Sequence, residues 1–310
     1  MSFENNAVIA VAVSGGPDSM ALLHLLHSIA PRVIALTVEH GLRTESLAEA
    51  RAVGAWCKKN KIEHHILPWR GEKPKTGVHE AARMARYALL QNWCRSHHIL
   101  HLATAHHADD QAETILQRIA KASGPVGLSG MAEHGFTPHL HLLRPLLAER
   151  KSELVAYCDE HRLPFARDPS NDNPKYARGR LRGARDALAA EGLTTENLSL
   201  LAQKQRTAQA ALEAHAAKFL AMHARLFPGT RAEISAPDFS MQTAALQHII
   251  IEYLLKLTGS HASPIRYDSL ATLCAALAAP GFCARTLGHC RIALKRIHKK
   301  DFIIITPECA

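Results

Sequence analysis

The first half of the chain alternates short apolar runs with longer amphipathic stretches, and this alternation restricts the possible folds most strongly. The apolar runs predict strands that are buried on both faces, at residues 8–13, 33–38, 65–67 and 99–103. Helical spacing of hydrophobic residues predicts helices between them, at residues 20–29, 46–59 and 78–95. Strand–helix alternation predicts an α/β fold with a doubly wound parallel sheet, whose ligands bind at the carboxyl ends of the strands.

The character of the sequence changes after about residue 187. Residues rich in Ala, Leu and Gln predict helices at 188–220, 243–257 and 269–278. Alternating apolar residues around positions 298–301 predict a terminal β-hairpin. We therefore expect a first domain over residues 1–187, followed by a helical linker and a smaller α+β domain over residues 188–310.

Basic residues are in excess and are clustered. The formal net charge is +9, from 37 Lys and Arg against 28 Asp and Glu. Seven cations lie within residues 162–185, and six lie within residues 281–300, a segment that contains no acid. Such clusters suit a polyanionic partner, although a charge run is more often a solvated face.

The cysteines and the hydropathy exclude several classes of protein. The seven cysteines are scattered and contain no C-x-x-C pair, which argues against a disulfide framework and against zinc or iron–sulfur ligation. No stretch approaches a membrane-spanning length, and the N-terminus has no basic leader. The sequence therefore predicts a cytoplasmic chain with no membrane partner.

The sharpest motif is Ser14-Gly-Gly-Pro-Asp-Ser19, which joins the first predicted strand to the first helix. Gly15 and Gly16 let the backbone approach a ligand, and the N–H groups of the helix N-terminus point at an anion. Asp18 is unusual here, because a carboxylate repels phosphate unless a cation such as Mg²⁺ lies between them. The alternative is an ordinary turn in which Asp18 complements the helix dipole.

A second motif, residues 105–114, follows the fourth predicted strand. Helical spacing places polar side chains on one face: His106, Asp109, Asp110, Glu113 and Gln117. The opposite face is apolar and is expected to pack on the sheet; it comprises Ala108, Ala112, Ile115 and Ile119. Three carboxylates within two turns repel one another unless they are solvated or share a metal. An acidic first turn that complements the helix dipole explains only part of this cluster.

Together the motifs resemble a known family. Ser14–Ser19 resembles the pyrophosphate loop of the N-type ATP pyrophosphatases, and the ordered set resembles tRNA(Ile)-lysidine synthetase in its short form. The matching segments are residues 38–43, 80–87, 106–114, 123–131, 144–147 and 168–182, with 285–291 in the tail. Departures from the family pattern are Glu39 for aspartate, Lys121-Ala122 for Arg-Gly, and Gly179 for asparagine.

The resemblance implies a two-step ligation. The C2 carbonyl oxygen of the first anticodon cytidine of a tRNA(Ile) with a CAU anticodon attacks the α-phosphate of ATP, releasing pyrophosphate. The ε-amine of free L-lysine then attacks C2 and expels AMP. The implied partners are thus ATP, Mg²⁺, free lysine and tRNA(Ile). The first domain would carry the chemistry, and the second would bind tRNA.

The resemblance also implies roles for individual residues. ATP would contact Ser14, Gly15, Gly16, Pro17, Asp18, Ser19, His40 and His106. Mg²⁺ would be held by Asp18 and Asp110, and catalytic roles would fall to Asp18, Asp109, Asp110, Arg83 and Arg182. Substrate or tRNA contacts would come from Arg86, Glu113, Arg178, Arg291, Lys295 and Arg296. Arg83 and Arg86 could also be a solvated helix face, since they lie three residues apart.

Two rival functions and the oligomeric state stay open. A tRNA thiolation enzyme built on the same loop would need a sulfur-carrying cysteine, which is often part of a C-x-x-C pair. A non-catalytic nucleotide-binding or RNA-binding module would not need the acidic cluster around Asp18 and Asp110. The sequence does not distinguish a monomer from a homodimer.

Overall fold

The computed structural model describes residues 7–42, 46–71, 73–74, 76–137, 139–166, 177–227, 230–259 and 265–308. Its strands are β1 Val8–Ala12, β2 Arg32–Glu39, β3 Glu63–Pro68, β4 His101–Ala103, β5 His134–Thr137, β6 Leu140–Leu143, β7 Ala224–Phe227, β8 Arg231–Ser235, β9 Arg285–Leu287, β10 Cys290–Ile297 and β11 Lys300–Pro307. Its helices are α1 Pro17–Ile29, α2 Ser46–Lys59, α3 Val78–Ser96, α4 Ala108–Ile119, α5 Pro125–Leu128, α6 Lys151–Glu160, α7 Ala177–Gly183, α8 Arg185–Ala190, α9 Thr195–His223, α10 Ala236–Ser240, α11 Ala244–Gly259 and α12 Tyr267–Ala278.

The chain forms two compact units. The first comprises residues 1–121 and 130–202, and the second comprises residues 122–129 and 203–310. The division falls inside α9, whereas the sequence placed a domain boundary after residue 187. Helix α9 is long, with 29 residues rich in Ala and Gln. Within the described residues, no helix is both long enough and apolar enough to cross a lipid bilayer.

The first unit is built on a six-stranded sheet in the order β3-β2-β1-β4-β6-β5. Neighbouring strands are parallel from β3 to β6, and the edge strand β5 runs antiparallel to its neighbour β6. This confirms the predicted α/β class. The sequence did not reveal β5, because this strand is largely exposed and shows no buried alternation.

Side chains alternate between the two covered faces of this sheet. Ile9 and Val11 of β1 belong to a core that includes buried residues of α1, α2 and α6. Ala10, between them, belongs to the opposite core with Leu90 and Cys94 of α3. Both faces of β1 are therefore buried, which is why this strand reads as an uninterrupted apolar run.

The apolar stripe of α4 does not pack as the sequence suggested. Ala112 and Ile115 form a small cluster with Leu198 and Ala202 of the first turns of α9, not with the sheet. Ile119, at the end of the stripe, is 46% exposed. The expectation of packing on the sheet was wrong, because periodicity identifies the buried face of a helix but not the element that covers it.

The second unit contains a five-stranded antiparallel sheet in the order β7-β8-β11-β10-β9. Ile250, Ile251 and Leu254 of α11 pack with buried sheet residues in its core. The predicted hairpin is confirmed, with Cys290 opposite Pro307 at one end and Ile297 opposite Lys300 at the other. His298 and Lys299 form its turn with positive φ at both positions, as a two-residue hairpin of type I′ requires.

Candidate active site

The loop between β1 and α1 is held by Ser19. The Ser19 hydroxyl donates a hydrogen bond to the Gly16 carbonyl (3.0 Å) and accepts one from the Ser14 backbone N–H (3.1 Å). Ser19 is 5% exposed, whereas Ser14 is exposed. Ser19 therefore builds the turn, and the exposed Ser14 hydroxyl can donate to the Ser19 hydroxyl, 3.3 Å away.

The two glycines of this loop have different tasks. Gly15 is buried with φ +83°, a left-handed conformation that side chains disfavour, and its carbonyl accepts a hydrogen bond from the Ala166 backbone N–H at 2.9 Å. Gly16 has an ordinary φ of −77° and precedes Pro17 at the start of α1. A Cβ on Gly16 would meet only the Ser14 hydroxyl, at 3.6 Å. The space around Gly16 is thus open to a ligand, while Gly15 shapes the turn.

His107 lies at the centre of the acidic cluster, and it is 3% exposed. Its Nε2 lies 3.7 Å from Asp18 Oδ2 and 3.4 Å from Asp110 Oδ2. Its backbone N–H donates to Asp110 Oδ2 at 3.3 Å, which fixes Asp110 at the N-terminus of α4. The two carboxylates predicted to hold Mg²⁺ thus flank one nitrogen of a buried imidazole.

Asp18 lies in an environment that disfavours its charge. Burial raises the pKa of the Asp18 carboxyl above its usual value, against the opposing influence of His107 and Lys151, and Asp110 raises it further. Its Oδ1 atom is buried and has no hydrogen-bond partner among the described residues. A buried carboxylate oxygen of this kind is suited to accept a cation.

Asp109 lies outside the cavity lining and joins three elements. Its Oδ2 atom accepts a hydrogen bond from the backbone N–H of Lys151 at 2.8 Å, in the first turn of α6. Its Oδ1 atom accepts a hydrogen bond from the Thr195 hydroxyl at 3.3 Å and contacts the guanidinium of Arg185. The structure therefore favours Asp110 over Asp109 as the partner of Asp18.

Glu113 is paired with Arg182. Glu113 Oε1 accepts a hydrogen bond from Arg182 Nε at 2.6 Å, and the Glu113 side chain is 9% exposed. Arg182 lines the cavity described below, whereas Glu113 does not. Arg178 belongs to α7, but its side chain lies outside the described part of the structure, as do residues 167–176 of the basic segment.

One cavity of about 640 Å³ lies at the carboxyl ends of β1, β2 and β4. Most of the residues predicted from the sequence line it: Ser14, Gly16, Pro17, Asp18, Ser19, His40, Arg83, Arg86, His106, Asp110 and Arg182. The cavity also contains Lys151 and Glu49, so four cations share one space with Glu49 and with the two carboxylates that flank His107. Cations and carboxylates gathered in this way suit an anionic ligand accompanied by a metal cation.

His106 and the two arginines of α3 are held at the cavity wall by specific contacts. The His106 imidazole lies 3.0 Å from the Thr104 hydroxyl through Nδ1, just beyond the end of β4. Arg83 stacks over Tyr87, with Cζ 5.2 Å from the ring centre. Arg86 contacts His40 through two guanidinium nitrogens. Arg83 and Arg86 both line the cavity and are both exposed to solvent.

Sequence reasoning missed two residues of this site. His107 was not assigned a role, because only the tertiary structure shows that three carboxylates surround it. Lys151 was overlooked although its position carries a signal. A lysine in the first turn of a helix opposes the helix dipole, so its presence in α6 indicates an anionic neighbour.

Three of the predicted substrate or tRNA contacts, Arg291, Lys295 and Arg296, lie in the second unit. Arg291, Lys295 and Arg296 are all exposed on β10. Arg291 and Lys295 have the same parity along the strand and lie on one face, whereas Arg296 lies on the face of Ile292, which is buried in the core. The three cations were grouped in the sequence-based prediction, but the sheet places Arg296 on the opposite face from Arg291 and Lys295.

Comparison with known proteins identifies relatives of both the fold and the whole chain. Residues 2–185 match the family model of the PP-loop domain. A tRNA(Ile)-lysidine synthase of Methylobacterium nodulans is 40% identical over 291 residues, covering 90% of this chain and 85% of the relative. Another tRNA(Ile)-lysidine synthase, of a Methylobacterium species, is 42% identical over 266 residues, covering 84% and 77%.

Among solved structures, the chain is similar in fold to the U34-tRNA thiolase NcsA from Methanococcus maripaludis with its [4Fe-4S] cluster. The TM-score is 0.56 at 18% sequence identity, and the match covers 65% of this chain and 73% of the thiolase. At this identity the similarity extends to the fold and not to the reaction.

Proposed function

The chain belongs to the tRNA(Ile)-lysidine synthase family, and from this premise we propose that it is a ligase that attaches lysine to the anticodon wobble cytidine of tRNA(Ile). The reaction consumes ATP and yields AMP and pyrophosphate. The observation that carries the proposal is the cavity in which the Ser14–Ser19 loop, three carboxylates and four cations meet.

The loop Ser14–Ser19 is the proposed phosphate site. It ends at the N-terminus of α1, where backbone N–H groups without helical partners face an anion. Ser14 is exposed, so a bound phosphate can take the hydroxyl proton that Ser14 shares with Ser19, and the open space around Gly16 admits close approach of a phosphate. Gly15 and Ser19 keep this loop in shape. His106 lies at the end of β4 and completes the proposed ATP-binding surface.

Asp18 and Asp110 are the proposed ligands of Mg²⁺, and their surroundings fit such an ion. Asp18 has a buried oxygen without a hydrogen-bond partner in the described structure, and Asp110 flanks the same imidazole nitrogen. Mg²⁺ is commonly held by one or two carboxylates together with substrate phosphates, so two carboxylates beside the phosphate loop suit it. The ion would neutralise the charge that develops on the departing pyrophosphate.

The cations of the cavity have separate tasks in the proposed reaction. Lys151 and Arg182 act electrostatically on Asp18, which places their charge beside the phosphate loop. They are suited to stabilise the phosphate when the cytidine C2 oxygen attacks it. Arg83 and Arg86 line the wall formed by α3 and can contact an oxyanion of ATP or lysine. Glu113 orients Arg182 through its 2.6 Å hydrogen bond.

The second step requires the ε-amine of lysine to attack the same C2 atom and expel AMP. The amine must reach the cytidine from within the cavity while the adenylate is still held. The anticodon loop supplies an unstacked base, so little energy is needed to extract the cytidine. Residues of the cavity therefore need only orient the two substrates and exclude water from the activated cytidine.

The outer face of the second sheet is the proposed tRNA surface. Arg291 and Lys295 lie on this face together with Arg225. The strand pairs show this, because Arg225 lies opposite Glu233, Glu233 opposite Ile304, and Ile304 opposite Ala293. Arg291 and Lys295 are each two residues from Ala293 and therefore point to the same side of the sheet. Exposed cations spread over a sheet face suit contacts with phosphates that do not depend on sequence. Glu233, at the centre of the face, is paired with Arg231 at 3.0 Å and is 5% exposed, so it presents little negative charge to a partner.

One assay tests the proposal against its rivals. The protein is incubated with ATP, radiolabelled lysine and tRNA(Ile), and pyrophosphate, AMP and tRNA-bound label are measured. We expect pyrophosphate release to require tRNA with a CAU anticodon, and label transfer to require lysine. Omitting lysine and supplying each other amino acid in turn provides the controls. Sulfur incorporation without lysine would favour thiolation, and nucleotide binding without any product would favour a binding module.

A further inference from the structure

Arg86 and His40 form an unusual pair at the wall of the cavity. Arg86 Nε lies 3.3 Å from His40 Nε2, and Arg86 Nη2 lies 3.2 Å from the same atom. A guanidinium has only donors, so His40 Nε2 must accept and cannot carry a proton. The imidazole of His40 is therefore neutral, with its proton on Nδ1.

The surroundings of His40 keep the imidazole neutral. Burial, and then the charge of Arg86, lower its pKa to about 4. The Nδ1 atom is buried and has no hydrogen-bond partner among the described residues. The ring meets Trp69 edge-on, with centroids 5.9 Å apart. Packing against Trp69 and contact with Arg86 thus hold the ring in place.

The Arg86 guanidinium is oriented without being neutralised. Within the described part of the chain, Arg86 forms no ion pair with a carboxylate; its hydrogen bonds go to His40. Arg86 is exposed to solvent at the cavity wall, so an oxyanion that enters the cavity can reach its guanidinium.

We propose that His40 is a positioning residue, whose neutral imidazole accepts the Arg86 N–H groups and aims that unneutralised guanidinium at an oxyanion of the substrate. A carboxylate at position 40 would orient Arg86 equally well but would cancel its charge. This inference rests on the proposed function and deepens it, because it assigns the recognition of an oxyanion to one pair. The oxyanion belongs either to the α-carboxylate of lysine or to a phosphate of ATP.

Three substitutions of His40 test the proposal, each measured by calorimetric binding of ATP and of lysine to the full-length protein. Glutamine retains a neutral acceptor, leucine retains bulk without an acceptor, and glutamate adds a charged acceptor. We expect His40→Gln to bind within about threefold of wild type, because one acceptor suffices to orient the guanidinium. His40→Leu and His40→Glu should each weaken binding of the same substrate by about tenfold or more, for opposite reasons.

The identity of the weakened ligand distinguishes the two oxyanions. If lysine is affected, lysinamide, which lacks the carboxylate, should bind the wild type and His40→Leu equally well. If ATP is affected, lysine binding should be unchanged. His27→Leu, an exposed histidine of α1, is the matched control.

Failure of the inference can be separated from failure of the proposed function. Wild-type affinity in His40→Glu, or equal losses in His40→Gln and His40→Leu with unchanged melting temperatures, would overturn the role of His40. Wild-type protein that binds neither ATP nor lysine would overturn it as well. Absence of lysine transfer by a wild type that shows the expected binding pattern would contradict only the ligase function, because binding is measured without turnover.

Discussion

The Asp109 carboxylate lies at the first turn of α6, where its Oδ2 atom accepts a hydrogen bond from the backbone N–H of Lys151 at 2.8 Å. The adjacent residue Asp110 instead lines the cavity. Two neighbouring carboxylates of one helix therefore have different surroundings. Asp109 holds the N-terminus of α6, and with it Lys151, against α4, while Asp110 is available to a ligand.

We predict that Asp109→Asn mainly affects stability. Loss of a buried charge-assisted acceptor costs about 1–3 kcal/mol of unfolding free energy, and Asp109 is 8% exposed. Urea unfolding monitored by circular dichroism measures this loss. Asp159→Asn, at an exposed position of α6, is the control and should leave the unfolding free energy unchanged. Because asparagine keeps one acceptor oxygen, a fully stable Asp109→Asn protein would show that the negative charge of Asp109 contributes nothing to stability.

We predict the opposite pattern for Asp18 and Asp110. Asp18→Asn and Asp110→Asn should each reduce tRNA-dependent pyrophosphate release by about 100-fold or more, because a cation that stabilises the departing charge would be lost. The melting temperature should not fall, and it should rise for Asp18→Asn, because burial disfavours the Asp18 charge. Near-normal pyrophosphate release at ordinary Mg²⁺ concentrations would refute the metal role of the substituted residue.

The register of the second sheet leads to a prediction about tRNA. Neutralising Arg291 and Lys295 together should weaken tRNA binding and flatten the log–log salt dependence by about 0.7–0.9 for each tRNA phosphate that the protein no longer neutralises. Arg296→Gln should change both quantities much less, because Arg296 lies on the opposite face of β10. Filter binding at several salt concentrations measures both. If all three residues contribute equally to tRNA affinity, the total charge of the hairpin determines tRNA binding, and the sheet face on which each cation lies does not.

The pKa of His40 predicts a dependence of stability on pH. The folded pKa is about 4, below the ordinary value of about 6.5, so the unfolded chain takes up this proton first as the pH falls. The contribution of the neutral His40 imidazole to the free energy of unfolding is therefore fully present above about pH 6.5 and is lost progressively toward pH 4. His40→Gln removes this titration. Relative to His40→Gln, the wild type should therefore lose melting temperature between pH 7 and pH 4.5.

The charged neighbours of His40 affect its pKa, so the control is a histidine in a different, exposed position. Arg86 and Lys73 lower its pKa, whereas Glu39 raises it. His27→Gln replaces an exposed histidine of α1. Its melting temperature should follow that of the wild type across the same pH range. Parallel curves for the wild type and His40→Gln would contradict the depressed pKa.

The cysteines should differ sharply in reactivity. Burial raises the pKa of the Cys57, Cys94 and Cys158 thiols to about 11, and that of Cys274 to about 12. Thiols of this kind are neither accessible nor ionised at pH 8. Cys283 is exposed. Iodoacetamide should therefore label Cys283 and spare the other four, as read by peptide mass spectrometry; urea, by unfolding the chain, should make all of them react.

The positions of the elements of the first unit follow closely from local sequence. The predicted helix at 46–59 matches α2 residue for residue, and the predicted strand at 99–103 contains β4. These elements are readable because both faces of the sheet are buried, so strands are apolar throughout and helices keep one apolar stripe. The exposed edge strand β5 has no such pattern and was missed.

The candidate site was only partly predictable, and Asp109 and Asp110 show why. Both have the same chemistry and adjacent positions, so spacing on a helix cannot tell which carboxylate reaches a ligand. The N-terminus of α6, which follows 42 positions later, binds one of them and leaves the other. The same hydrogen bond, from the Lys151 backbone N–H to Asp109, fixes the start of α6. The Lys151 side chain is thereby placed at the cavity.

By itself the sequence determined the class of fold, and it predicted the turn proposed to bind phosphate and most of the charged residues that line the cavity. Glycines, apolar runs and helix starts act through local conformational preferences, which can be predicted from each short segment of sequence separately. The tertiary structure alone decided the role of each charge: His107 among three carboxylates, Asp109 at a helix start, and Arg86 against a neutral His40. The strength of a charge interaction depends on its distance from other charges and on burial, and both quantities arise only when distant segments pack together.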